Sequence, residues 1–232
     1  MAQDDHRTVL IVGAGAGLSA SLARLFAKNG MRVALAARAT EKLAGLAAET
    51  GAKTFACDAT KGADVKTLFG AVEAQLGALD VVVYNASFRT RGPVIDLDPA
   101  DVEKSIAVSA FGGFLVAQEA ARRMLPRGQG AIFFTGASAS VKGYAQSAPF
   151  AMGKFALRGL AQSLARELSP RGIHVAHFVI DGGIRSERRP AADRPDALLD
   201  PDAIAASYLH VLRQPKNAWS FEVDLRPWVE NF

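Results

Sequence analysis

Regular alternation of apolar strand-like runs with helical patterns leaves this chain few folds to choose from. Strand candidates fall near residues 8–12, 32–36, 53–57, 79–84, 131–135, 173–180 and 219–225. Helical patterns lie near 17–29, 40–50, 62–76, 99–125, 148–169 and 201–213. Such alternation builds right-handed βαβ crossovers, so the expected fold is α/β, a doubly wound, mostly parallel sheet of about seven strands with helices on both faces. The β-branched run Val9 to Val12 suits a strand buried on both faces. Gly30, Gly51 and Gly77 end the first three helical patterns, as C-terminal stops do. With 232 residues, half of them hydrophobic, the chain can bury one substantial core. No shift in composition divides it, so residues 1–232 are read as a single domain. Residues 185–200, polar and proline-containing, break the rhythm and are read as a mobile lid or, on the plainer view, as a solvated surface connection.

Composition narrows the function classes. The single Cys57 excludes an intrachain disulfide and reads as a small buried hydrophobe, which fits a reducing compartment. The first residues lack the pattern of a signal peptide and no apolar run approaches a membrane span, so the expectation is a soluble, cytoplasmic protein without a membrane partner. A net charge of +4 could serve nucleic acid, but the basic residues are scattered except at Arg185, Arg188, Arg189 and Arg194. Contacts to a small anionic ligand account for that balance equally well, and no nucleic-acid partner is expected. His174 and His177 point to opposite faces of a strand, and His6 and His210 have no partner, so no metal site is expected. Ser138 and Ser140 lack the G-x-S-x-G setting of a hydrolase nucleophile.

Between the first strand and the first helix stand Gly13, Gly15 and Gly17. Without a Cβ, such a turn lets a pyrophosphate approach the backbone, where the N–H groups and positive dipole end of the new helix receive it. Leu18 stands where strict G-x-G-x-x-G would have glycine, so a dinucleotide turn and a plain tight turn both remain open on this stretch alone.

The glycine turn is followed by Asp58 after the third strand, Asn85-Ala86 after the fourth, Ser140 to Gly143 after the fifth and Lys154 on the next helix. In that order these motifs resemble the short-chain dehydrogenase/reductase family, with its Rossmann-type fold. The resemblance covers essentially the whole chain, up to Asp181-Gly182-Gly183-Ile184, where the family usually has Pro-Gly. It implies cofactor contacts from Gly13, Gly15, Gly17, Leu18, Asp58, Ala59, Asn85, Ala86, Lys154, Gly182, Ile184 and Ser186. Ser19 and Ser87 replace two family glycines with small residues. An acidic side chain ending the second strand would accept bonds from a free ribose 2′-hydroxyl. Here Ala37 holds that place and Arg38 follows, whose guanidinium suits a 2′-phosphate, so NADP is favoured over NAD unless Arg38 is only a surface residue.

In the family a tyrosine moves the proton while hydride moves at the nicotinamide, and a lysine four residues on lowers the phenol's pKa. A serine polarises the substrate oxygen and an asparagine holds a relay water. Lys154 matches the lysine and Ser140 the serine, but Phe150 stands for the tyrosine and Ser109 for the asparagine. Phenylalanine has no proton to give, and losing positioned proton transfer forfeits roughly 10²- to 10⁴-fold, about 3–5 kcal/mol. Tyr144 is a candidate replacement donor, or else a residue of the rim.

These features imply an NADP-dependent oxidoreductase acting on a small or medium carbonyl or alcohol substrate through an atypical proton donor. The alternative is an NADP(H)-binding regulatory or sensor module with weak or no turnover, and a third reading makes Lys154 itself the reactive group. Family members are dimers or tetramers, so a homodimer or homotetramer is expected, with Trp219, Phe221, Val223 and Leu225 on one face of the last strand.

Overall fold

The computed structural model describes residues 7–187, 189 and 195–229. His6, Arg188 and Arg194 therefore lie outside the described residues, as does much of the expected lid. Seven strands form one sheet: β1 (Thr8–Val12), β2 (Arg32–Ala37), β3 (Lys53–Ala56), β4 (Leu79–Tyr84), β5 (Gly130–Thr135), β6 (Ile173–Ile180) and β7 (Glu222–Leu225). All pair in parallel in the order β3-β2-β1-β4-β5-β6-β7. The order reverses between β1 and β4, and in an open parallel sheet that reversal leaves a crevice at the strands' carboxyl ends.

Alternating side chains of each strand feed two separate cores. Val9 and Ile11 face α1 (Leu18–Lys28), α2 (Ala44–Thr50) and α7 (Pro201–Leu212), whose Leu22, Phe26 and Tyr208 are fully buried. Leu10 and Val12 face α3 (Gly62–Leu76), α5 (Gly112–Met124) and α6 (Ala148–Leu168). Fully burying one such side chain contributes about 1.5–3 kcal/mol, and the period-2 pattern holds each strand in register.

The helix expected over 99–125 is divided. It runs as α4 (Pro99–Ile106), a π turn at Ala107–Phe111, and α5. The cause is Tyr84 at the end of β4, whose hydroxyl donates to the carbonyl of Val108 and draws it out of the helical ladder. Gly112 permits this approach, since a Cβ there would lie 2.4 Å from the Tyr84 hydroxyl and 3.0 Å from the Ala59 carbonyl oxygen.

The last strand also differs from expectation. It begins only at Glu222, and Trp219 leaves it to stack on His174 with ring centroids 4.5 Å apart. Phe221 packs against the α6 core whereas Val223 and Leu225 pack against the α7 core, so the four do not share a face. Two residues outside the strand free Trp219 and Phe221 from its alternation.

Candidate functional site

The glycine turn is made by backbone hydrogen bonds. Gly13 and Ala14 N–H groups both donate to the Ala36 carbonyl, at 2.9 and 3.0 Å. Gly13 has φ +84°, and a Cβ on it would lie 2.4 Å from the Ala86 nitrogen, so the turn closes directly on the β4 loop. Around Gly15 and Gly17 nothing lies within 4 Å of an added Cβ, which leaves the turn open to a ligand. Ser19, expected only to be small, has a further part. Its hydroxyl donates to the Gly13 carbonyl at 3.1 Å and accepts from Asn85 Nδ2 at 2.7 Å, tying the turn to β4.

From this turn a groove of about 1050 Å³ runs along the crevice. Gly13, Gly15, Gly17, Asp58, Asn85 and Ala86 line it, together with Ala59 and Ser186. At the β2 end stand Ala37, Arg38 and Lys42, the last a cation that sequence reasoning missed. Hydrogen bonds from the hydroxyl and backbone N–H of Thr60, at 2.7 and 3.1 Å, hold the Asp58 carboxyl below its ordinary value. Cys57 also lines the groove, but burial, with Asp64 and Asp58 nearby, pushes its thiol up to about 11. An uncharged thiol of this kind is a poor nucleophile.

A second cavity of about 700 Å³ adjoins the groove and shares Asn85, Ser87 and Ser186 with it. Leu18, Gly182 and Ile184 line this cavity rather than the groove. Lys154 lies in its wall, only 3% exposed, and its Nζ donates to the Thr135 carbonyl at 2.7 Å. Burial lowers its pKa to about 8. Phe150, one helical turn earlier on α6, carries two cations over its ring, Arg89 Cζ at 4.9 Å and Lys154 Nζ at 5.8 Å from the centroid. An apolar ring accepts both cations through its quadrupole.

Two sequence-expected residues are displaced from the site. Ser140 is fully buried and lines neither cavity, because its Oγ turns inward to accept from the Ala137 N–H at 3.1 Å. Ser138, two residues earlier in the same short 3-10 turn, lines the cavity instead, near enough to Asp181 to help hold its carboxyl below the ordinary value. Ser109 is fully buried in the π turn against Gly153 and lines neither cavity, its Oγ having no partner among the described residues.

Tyr144 lines the cavity, half-exposed, and Lys142 Nζ lies 5.9 Å from the centre of its ring. Lys142 in turn pairs with Asp181 at 3.2 Å, and Arg226 approaches that carboxylate at 3.7 Å. Burial acts to raise Asp181, but Ser138 and these cations bring it below its ordinary value overall. Asp181 thus ties Lys142 of the 138–144 loop to the end of β6. Beneath the cavity, His177 is fully buried, with Nδ1 3.1 Å from Glu222, which itself holds Arg158 through two 2.7 Å bonds. Burial depresses His177 to about 4.

The chain as a whole is similar to known proteins. The family model for short chain dehydrogenase fits residues 7–194. D-threitol dehydrogenase of Mycolicibacterium smegmatis is 31% identical over 176 residues, 74% of this chain and 68% of that protein. A short-chain dehydrogenase from Rhodopseudomonas palustris superposes with a TM-score of 0.84 at 37% identity, covering 96% of this chain and 99% of that one. A metagenomic short-chain oxidoreductase in complex with NADP gives a TM-score of 0.84 at 27% identity over 97% of this chain and 98% of that one. Family model, fold and sequence identity agree, and the chain belongs to the short-chain dehydrogenase/reductase family of oxidoreductases.

Proposed function

We propose that this protein is an NADP-dependent oxidoreductase that interconverts a small or medium carbonyl compound and its alcohol. The observation that carries the reading is the continuity of the two cavities. The glycine-turn groove, with Arg38 and Lys42 and no carboxylate at the end of β2, opens directly into the cavity that holds Lys154. The groove fits a dinucleotide phosphate: Gly13 to Gly17 present backbone to a pyrophosphate, and Arg38 offers a forked donor to a 2′-phosphate. Bound NADPH would supply the hydride.

The chain's own residues do the rest. Lys154 places a cation beside the reacting oxygen, and a low-dielectric setting strengthens its effect on developing negative charge. The residues of the cavity hold the substrate in line, and positioning of this kind contributes as much as about 7–11 kcal/mol. Phe150 cannot move a proton, so the reading gives that part to Tyr144, whose phenol reaches the same cavity with Lys142 beside it. In carbonyl reduction Tyr144 donates its proton to the oxygen, and Lys142 stabilises the phenolate left behind.

A homodimer or homotetramer in the cytoplasm completes the proposal. Exposed Phe111, Phe114 and Phe155 on and beside α5 and α6 support self-association. Among the described residues no helix is long and apolar enough to cross a membrane.

Fluorescence titration with NADPH and NADH, followed by NADPH consumption against ketones, aldehydes and quinones, tests the reading. Tighter NADPH binding and consumption that falls in Lys154→Ala and Tyr144→Phe are expected. Unchanged turnover in Tyr144→Phe would remove that tyrosine from the mechanism. Binding without consumption would favour the sensor module instead.

A further inference from the structure

The cavity beside Lys154 carries a charge pattern that hydride transfer does not require. Arg89, Arg91 and Arg189 all line it, and its described lining contains no aspartate or glutamate. All three are exposed at the cavity's rim, and none has a carboxylate partner among the described residues, whereas several cations around it do. Lys142 holds Asp181, Arg158 holds Glu222, and Arg185 holds Asp200. Desolvation, and then Arg91 and Arg189, draw Arg89 below the ordinary guanidinium value, with no acidic group opposing them. Three guanidiniums converging on one cavity without a carboxylate give it a positive potential that attracts an anionic ligand.

The arginines are also held in place. Arg89 rests on the Phe150 ring. Its loop is fixed on both sides, by the Ser105 hydroxyl donating to the Phe88 carbonyl at 3.0 Å and by the Gly92 N–H donating to the Gln146 carbonyl at 3.1 Å. Arg189 folds across Gly183, where a Cβ would lie 2.7 Å from its Nη1. A further polar group awaits a partner in the same wall: Ser147 is 2% exposed, and its Oγ has no hydrogen-bond partner among the described residues. The glycine turn and Arg38 line the neighbouring groove and not this cavity, so the three arginines stand apart from the residues assigned to the cofactor phosphates.

We infer that the cavity takes a substrate bearing an oxyanion, a carboxylate or a phosphate, held by Arg89, Arg91 and Arg189 with Ser147 as an additional donor. Forked guanidinium donors fit both anions, since each presents a pair of oxygens that two parallel N–H bonds can reach. The inference rests on reading this cavity as the substrate side of an oxidoreductase. In that reading Phe150 gains a positive role: it is the platform that presents Arg89 to the anion. A phenol there would set its own hydroxyl against the guanidinium, whereas a bare ring leaves every donor free for the ligand.

The test uses the whole chain with NADPH and matched probes. Levulinate is compared with its methyl ester, and hydroxyacetone phosphate with hydroxyacetone, as substrates. Pentanoate and propyl phosphate are compared with methyl pentanoate and propanol by calorimetry, which reads binding whether or not turnover occurs. The anion of each pair should be favoured by about tenfold or more, less so at high salt. Arg91→Gln and Arg189→Gln should each shrink that advantage about tenfold, and Arg91→Lys should restore part of it. The better of the two anions identifies the group. Equal binding of charged and neutral partners, or an advantage unchanged in both variants, would overturn the inference. Arginine-dependent anion binding without hydride transfer would uphold the anion site and overturn the oxidoreductase reading.

Discussion

The two halves of the crevice are built from different material. The cofactor groove is made of backbone: a glycine at positive φ, N–H groups sharing the Ala36 carbonyl, and a serine that ties the turn to Asn85. The adjoining cavity is shaped largely by side chains: Phe150 carries Arg89 over its ring, and Arg89, Arg91 and Arg189, without a carboxylate partner among the described residues, gather along it. At Gly13 the turn tolerates little change, because a single Cβ there collides with the chain at Ala86. A side-chain site can exchange its members one by one and still hold a ligand. The groove therefore depends on its backbone turn, while the cavity's chemistry depends on which side chains line it.

The comparison can be broken most severely at Gly13. Gly13→Val would force a branched residue into positive φ and place its Cβ against the Ala86 nitrogen. Loss of measurable NADPH binding and a clear fall in melting temperature are expected, read by fluorescence titration and thermal unfolding. Retained binding would show that the turn is not the anchor of the groove.

Lys154→Met tests the other half. Cofactor binding should survive in part, while kcat for carbonyl reduction falls about 10²-fold or more. In the unsubstituted protein the cation is lost as pH rises through about 8, so reduction should decline above that value in a pH–rate profile.

His177 gives a stability counterpart beneath the same cavity. Its pKa is about 4 in the folded chain against an ordinary 6.5, so the neutral ring's contribution is complete above 6.5 and is lost as pH falls through 4. The loss amounts to about 3 kcal/mol, and urea unfolding at several pH values should show it reduced in His177→Gln. A smaller effect is expected at the far end of the groove. Arg38→Ala should weaken NADPH about tenfold with little change for NADH, read in the same titration.

The sheet was largely legible because buried parallel strands are continuous apolar runs, and the ends of β1, β4 and β6 fall where the runs end. The turn between β1 and α1 was legible for a related reason: Gly13 is held at positive φ, and glycine is visible in a sequence. The division of the 99–125 helix was not, since it arises from Tyr84 reaching Val108 across 24 positions. Nor could the sequence separate Ser138 from Ser140, because residues two apart in a 3-10 turn point in different directions and only the coordinates say which faces the cavity. Arg89 and Arg91 lie in a loop without periodicity, and their meaning emerges only when Phe150 and Arg189 are brought beside them.

Transfer of deuterium from NADPH labelled on the nicotinamide ring tests the proposed activity most directly. Product from the levulinate and hydroxyacetone phosphate incubations would be examined by mass spectrometry. The expected result is deuterium on the carbinol carbon of the anionic product, diminished in Lys154→Met. Tight NADPH binding with no deuterium in any product, and transfer emerging only in Phe150→Tyr, would contradict it and mark the cavity as a switched-off centre.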